Sequence, residues 1–266
     1  MILEHQLEPV PTDITFFVPC LNEESNIIAT LQKIKRASDR HQLKSEILVF
    51  DDASTDQTAS VVENHLLGEP DPSIRLIKNK FVQGLGYNYA EGSYLAKGKY
   101  YMLVNGDNSE DDDALDAILS QLGKADMIIP YFDNLDNRRQ LRKFLSKTFT
   151  RVVNFIGGHR LKYYNGPVLH LKNNVLRHHS DTHGFAYQAE IIVKLLDLDM
   201  TYIETKVVNK DRDINPRDIQ EQIEDEADGA DRQGRSKAFS TKNILSVAHS
   251  LFQIFLRRLR REIYGF

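Results

Sequence analysis

An alternation in the first half of the chain constrains its fold most. Five short apolar runs, at 14–18, 46–50, 74–78, 100–104 and 127–130, are separated by longer segments at 24–38, 57–67, 86–97 and 111–122. Apolar runs of that length, bounded by polar turns, read as strands buried on both faces, and the segments between them carry helical periodicity. In the third segment Tyr87, Ala90, Tyr94 and Leu95 fall near one face. Ser109 followed by Asp112 reads as a capping box opening the fourth. Strand–helix alternation predicts an α/β fold with a mostly parallel sheet flanked by helices.

The second half is patterned differently. Residues 138–155 predict a long helix, basic at its start and apolar on one face, 185–196 a second helix, and 201–208 a strand. Between 218 and 231 the chain carries Glu221, Glu224, Asp225, Glu226 and Asp228 without one basic residue, the pattern of a solvated helix or loop. The C-terminal segment, 243–266, mixes Ile244, Leu245, Val247, Leu251, Phe252, Ile254, Phe255 and Leu256 with Arg257, Arg258, Arg260 and Arg261. An amphipathic helix lying in a membrane interface and a helix packed on the domain fit that pattern equally well.

Composition narrows the classes. The 266 residues carry a formal charge of −4, so no basic surplus points to nucleic acid. The one cysteine, Cys20, excludes an internal disulfide and fits a reducing, cytoplasmic compartment. Residues 1–13 lack a basic region followed by an apolar run, so no signal peptide is expected there. No apolar stretch reaches about 18 residues, so no spanning helix is expected, and any membrane contact is peripheral.

Three polar segments follow predicted strands, where open α/β sheets place their ligand sites. They are Pro19-Cys20-Leu21-Asn22-Glu23-Glu24, Asp51-Asp52-Ala53-Ser54-Thr55-Asp56 and Asn105-Gly106-Asp107-Asn108-Ser109. Each alone is ordinary turn chemistry, but three on one sheet edge point to a common pocket. The carboxylates suit a base N–H or ribose hydroxyl, and Asp107 suits a hard cation shared with phosphate oxygens. Gly84 and Gly86 do not make a dinucleotide fingerprint, because Tyr89 stands where the third glycine belongs. His178, His179 and His183 find no partner set for zinc and read as loop residues. Tyr163 and Tyr164 suit either sugar stacking or core packing.

These motifs, with Gly84-Leu85-Gly86, resemble the ordered signature of family 2 glycosyltransferases. They are most similar to the branch of dolichyl-phosphate mannose synthase and polyprenyl-phosphate sugar transferases. The resemblance covers roughly 14–256 and implies a GT-A fold, Rossmann-like, with a C-terminal helical extension. It implies a nucleotide-binding half at 14–130 and an acceptor and sugar half at 131–238, with an acidic insertion near 211–231. Residues 1–238 then form the transferase domain and 239–266 a basic amphipathic helix. It further implies nucleotide contacts at Pro19, Leu21, Asn22, Glu23, Phe50, Asp52, Gly84, Gly106 and Asp107. Mg²⁺ or Mn²⁺ would sit at Asp107, Asn105 and Ser109, and acceptor contacts at Arg142, Ser146 and Lys147. Asp107, Arg232, Lys237 and Glu190 would be the catalytic groups.

In the second half, Asn165-Gly166-Pro167-Val168-Leu169 resembles the turn that shapes the sugar pocket. Phe185-Ala186-Tyr187-Gln188-Ala189-Glu190 resembles an F-x-x-Q-x-E helix start, and Arg232-Gln233-Gly234-Arg235-Ser236-Lys237 the segment closing over the diphosphate. Three departures stand out. Asn105 replaces the first Asp of D-x-D, and Arg212 competes with Arg232 after a spacing change. Pro130-Tyr131-Phe132 stands where the branch has an Arg, which leaves Arg138, Arg139 or Arg142 for the acceptor. The implied reaction is inverting transfer of a sugar from a UDP- or GDP-sugar to a lipid phosphate. A hydroxyl acceptor, with Glu190 or Asp181 as base, and a non-catalytic nucleotide-sugar-binding domain are the rivals. A nucleotidyltransferase falls behind, since Asn22-Glu23-Glu24 carries the wrong charge for a phosphate loop.

Overall fold

The computed structural model describes residues 11–132, 140–178, 180, 186–207 and 241–264. The apolar runs form β1 (Ile14–Cys20), β2 (Ser45–Asp51), β3 (Ile74–Lys78), β4 (Tyr100–Leu103) and β5 (Met127–Phe132). Between them lie α1 (Ile27–Arg40), α2 (Thr58–Gly68), α3 (Leu85–Leu95) and α4 (Asp112–Leu119). Then come α5 (Gln140–Gly157), β6 (Leu169–Leu171), α6 (Lys172–Arg177), α7 (Tyr187–Leu196), β7 (Tyr202–Val207) and α8 (Thr241–Tyr264).

One seven-stranded sheet has the order β3-β2-β1-β4-β6-β5-β7, and β6 alone runs against its neighbours. Alternate strand residues feed opposite faces, as the two-residue repeat of a strand requires. Phe16, Val18, Ile47 and Val49 pack under α1, α2 and α4, whereas Phe17, Leu48, Phe50 and Tyr101 pack under α3, α5, α7 and α8. The chain turns one way from β1 to β2 and β3 and the other way to β4. The C-terminal ends of β1 and β4 therefore flank the switch point, where such sheets bind ligands.

Three expectations need correction. The inward face of α3 carries Gly86, Asn88, Tyr89, Gly92 and Ser93, whereas Tyr87, Tyr94 and Leu95 are exposed. A side chain at Gly92 would meet the Tyr101 hydroxyl at 2.4 Å, so a small residue must face the sheet there. The cap of α4 is Asp111, whose carboxylate accepts from Asp112 N–H, and not Ser109. β6 and α6 have no counterpart in the predicted elements, because three strand residues are too few to show a period. The acidic run, Arg138, Arg139, Asp181, His183, Arg212, Arg232 and Lys237 lie outside the described residues.

The arginines of α8 turn inward. Asp197, at the end of α7, accepts from Arg257 Nε at 2.9 Å and Arg261 NH1 at 2.7 Å, and pairs with His159 Nε2 at 3.1 Å. Arg258 donates to the Phe155 carbonyl at the end of α5, at 2.6 Å. Burial alone would raise the Asp197 pKa, but the His159 and Arg257 contacts outweigh it and hold the carboxyl below its usual value. Such a carboxylate stabilises the fold above the unfolded pKa, near 4, and loses that contribution as pH falls through its lower folded value. Asp197→Asn is expected to cost roughly 2 kcal/mol at pH 7, discounted from buried-pair values because both arginines are partly exposed. Urea midpoints at pH 7 and below pH 3.5 check this, with the gap to wild type closing in acid.

Candidate functional site

Hydrogen bonds join the three polar loops into one unit. Asn22 Oδ1 accepts from Thr55 N–H at 2.8 Å, and Asn22 N–H donates to Ser54 Oγ at 3.0 Å. Glu23 N–H donates to Thr58 Oγ1 at 2.8 Å, and Asp52 N–H to the Cys20 carbonyl at 2.9 Å. Gly106 N–H donates to the Pro19 carbonyl at 3.2 Å, which extends the β1–β4 pairing into the loops. A methyl group at Gly106 would lie 2.7 Å from Cys20 Sγ and 2.8 Å from the Pro19 oxygen, so only glycine fits there. Asn22, Ala53 and Asn108 hold left-handed φ values of 62°, 62° and 56°. Non-glycine residues of that kind cluster at binding sites, held by their surroundings.

Asp52 organises the loop after β3. Its Oδ1 accepts from Asn79 Nδ2 at 2.8 Å and Gln83 N–H at 2.9 Å, and its Oδ2 from Gly84 N–H at 2.9 Å. Burial would raise its pKa, but these donors, led by Gln83 N–H, hold it low. Gly84 has φ of 95°, a conformation suited to glycine at the start of α3. Phe50 is buried against Phe17 with ring centroids 5.1 Å apart, so its side chain belongs to the core. Pro19, Leu21, Asn22 and Glu23 line the half-buried end of β1.

In the loop after β4, Asp107 Oδ1 accepts from Ser109 N–H at 3.0 Å. Asn105 Nδ2 donates to Glu110 Oε1 at 2.5 Å. Two residues of α1 hold this loop: Thr30 Oγ1 donates to the Gly106 carbonyl at 3.1 Å, and Lys33 Nζ to the carbonyls of Asn108 and Glu110. Asp107, Asn105 and Ser109 offer only oxygens as donors, which suits a hard divalent cation. No group of three His, Cys, Asp or Glu able to hold a metal exists among the described residues, so such a cation needs ligand oxygens as well.

Sequence reasoning missed Glu110 and Lys33. Glu110 hid in an acidic stretch that read as a helix start. Lys33 shares the i, i+3, i+4 spacing of Thr30 and Ile34 with Ala37, a signal that it faces inward. Glu190, expected near the pocket, is 1% exposed, with Ser180 Oγ at 2.6 Å and Lys194 Nζ at 2.8 Å. Gly166 packs on Pro130 at the end of β5. Tyr164 is a core residue, with its hydroxyl donating to Asn154 at 2.8 Å. Arg142 lies in the first turn of α5, and Ser146 and Lys147 follow it, half-buried and exposed respectively.

Residues 15–185 match the profile of Glycosyl transferase family 2. The chain belongs to that family. It is 28% identical over 164 residues to the dolichyl-phosphate beta-glucosyltransferase ALG5C of Trichomonas vaginalis, across 56% of this chain and 48% of that protein. It is 29% identical over 122 residues to the dolichyl-phosphate beta-glucosyltransferase of Dictyostelium discoideum, across 43% and 37%. The match thus spans under half the length of either relative. The glucosyl-3-phosphoglycerate synthase of Mycobacterium tuberculosis, solved with UDP, superposes with a TM-score of 0.62 at 12% identity, over 92% of this chain and 80% of that one. A further structure of that enzyme contains Mn²⁺, UDP-glucose and phosphoglyceric acid. The fold of this family 2 chain is therefore GT-A.

Glu110 titrates in an unusual range. Burial, with the nearby Asp107 charge, pushes its pKa up to about 7 against a reference of 4.5, despite the Asn105 hydrogen bond. A carboxyl raised in this way favours folding fully below its unfolded pKa and loses that contribution as pH rises through about 7. In chelator, wild-type stability is expected to fall by on the order of 3 kcal/mol between pH 5 and 8.5 from this group, and Glu110→Gln to remove that part. Urea unfolding across the range tests it.

Proposed function

We propose that this chain is a divalent-metal-dependent, inverting glycosyltransferase that moves a sugar from a UDP- or GDP-sugar to a polyprenyl- or dolichyl-type lipid phosphate. The observation that carries the reading is the joining of three polar loops at the switch point, with Asp52 and Asp107 on separate loops of one unit. Asp52 Oδ2 accepts a single hydrogen bond and keeps capacity for a base or ribose donor. Pro19, Leu21, Asn22, Glu23, the Phe50 backbone and Gly84 complete the nucleotide contacts, and Gly106 and Asp107 lie at the diphosphate. Mg²⁺ or Mn²⁺ held by Asp107, with Asn105 and Ser109, would supply Lewis-acid stabilisation of the leaving diphosphate.

In the reaction an acceptor phosphate oxygen attacks the anomeric carbon from the face opposite the diphosphate. The bond to the nucleotide breaks, and the nucleoside diphosphate leaves with the electron pair. Arg232 and Lys237 stabilise the charge on it, and Arg142, Ser146 and Lys147 hold the acceptor phosphate. A phosphate acceptor needs no general base. That suits Glu190, whose carboxylate is already engaged by Ser180 and Lys194.

Transfer of labelled sugar from a panel of UDP- and GDP-sugars to polyprenyl phosphate, with Mn²⁺ or chelator, tests this. Metal-dependent label in the organic phase from one donor is expected. Asp107→Asn should lower the rate about a hundredfold or more, since several kcal/mol of charge stabilisation is lost. Metal-dependent release of nucleoside diphosphate without lipid product moves the acceptor to a hydroxyl. Nucleotide binding without turnover makes the chain a binding domain.

The same reading places the protein at a membrane surface. No helix among the described residues is long and apolar enough to cross a membrane. α5 and α8 pack together and expose Phe144, Val152 and Phe155 on one and Phe252, Phe255, Leu259 and Ile263 on the other. Exposed Lys147, Arg151 and Arg260 lie on the same two helices, a combination that suits anionic lipid headgroups. Phe252→Ser/Phe255→Ser should lose co-sedimentation with phosphatidylglycerol-containing vesicles while its urea midpoint stays within ~1 kcal/mol of wild type, both side chains being about half exposed. Equal sedimentation of both proteins refutes this contact.

A further inference from the structure

Asn105 stands where a second carboxylate would serve a cation better, and Glu110 is an acid in the wrong place for an ordinary surface residue. Glu110 is 7% exposed, and its Oε2 has no hydrogen-bond partner. No ion pair joins Lys33 to the Glu110 carboxylate among the described residues, and Lys33 Nζ is spent on backbone carbonyls, one of them Glu110's own. What Glu110 does touch is Asn105, through Oε1 at 2.5 Å. An ionised carboxylate only accepts hydrogen bonds, so the amide must present its NH₂ end to Glu110 and its carbonyl oxygen elsewhere.

We propose that Glu110 is a positioning residue that orients Asn105 Oδ1 as a neutral oxygen ligand and supplies, one bond further out, the negative charge that an Asp at 105 would carry. The inference rests on the reading that Asp107 holds a divalent cation with the donor diphosphate. The backbone supports the assignment. Thr30 and Lys33 fix the carbonyls of Gly106, Asn108 and Glu110 to α1, and Asn108 is held at a φ of 56°. The loop therefore cannot relax to bring Glu110 out to solvent without breaking those contacts. Outer partners of this kind set ligand orientation and typically govern metal affinity by about 10–100-fold.

Mn²⁺ titrations followed by electron paramagnetic resonance, with saturating UDP or GDP, decide it. The proteins are wild type, Glu110→Gln, Asn105→Asp and the double substitution Asn105→Asp/Glu110→Gln. A glutamine can meet Asn105 with either end of its amide, so Glu110→Gln should weaken Mn²⁺ about tenfold or more, with folding intact. The double substitution moves the charge from 110 to 105 and reverses the hydrogen bond, with the glutamine now donating. It should regain wild-type Mn²⁺ affinity to within about threefold, a recovery that a merely structural acid would not produce. Asn105→Asp alone sets two carboxylates in contact and should bind no better than the double variant. Unchanged affinity in Glu110→Gln, or a loss the double variant does not recover, overturns the proposal while leaving metal use standing. Absence of Mn²⁺ binding by wild type with either nucleotide overturns both.

Discussion

The site depends on the close approach of Gly106 to the end of β1. β1 and β4 are parallel neighbours, so their following loops leave the sheet side by side. The Gly106 N–H meets the Pro19 carbonyl, and the space a side chain would need is taken by Cys20 and that same carbonyl. Asn105 and Asp107 each sit one residue from this contact, which limits how far either can shift. Asn22 then ties the β1 loop to the β2 loop, and Asp52 ties the β2 loop to the start of α3. Left-handed residues on these loops cost of order 1 kcal/mol each, and only loops held on both sides can keep them. The preorganised edge is thus a product of strand order, not of any single motif.

Much of this was legible in the sequence, for identifiable reasons. Strands buried on both faces appear as nearly unbroken apolar runs, which placed β1, β2, β4 and β5 within a residue or two, and the edge strand β3 kept enough of that pattern in Ile74, Leu76 and Ile77 to be placed as well. The three polar loops were readable because turns concentrate Asp, Asn and Ser where strands end. The inward face of α3 was not readable, because close approach to Phe17 and Tyr101 selects Gly92, and apolar counting favours the exposed tyrosines instead. Asp111 displaced Ser109 as the cap because Ser109 is drawn back toward Asp107. Glu110 escaped notice because neighbouring Asp111, Asp112 and Asp113 make it look like part of a solvated acidic turn, and only the fold separates the buried acid from two half-buried ones and an exposed one.

Two buried acids show how differently one residue class is used. Asp197 is surrounded by His159, Arg257 and Arg261, is held ionised, and fastens the last helix to the domain. Glu110 is buried beside a negative charge with neutral donors only, so its ionised form works against folding at neutral pH. A group that lowers stability persists when something outside the folding balance requires it. Glu110 sits in the same loop as Asn105, Asp107 and Ser109, so any such requirement is local to that loop.

The last helix departs from the usual arrangement of a surface helix. On a helix exposed to water, charges face out and apolar residues face the core. On α8 the Arg257, Arg258 and Arg261 side chains reach inward to Asp197 and the Phe155 carbonyl, while Phe252, Leu259 and Ile263 face out. Leu251 and Ile254 pack on the core beneath the helix and the ion pairs add to that attachment, while Phe252, Leu259 and Ile263 stay exposed. A helix built that way keeps its grip on the domain when its outer face leaves water, because burying that face in a membrane interface removes none of its internal contacts. With α5 beside it exposing Phe144 and Phe155, the two helices carry large apolar side chains that their packing on the domain does not use.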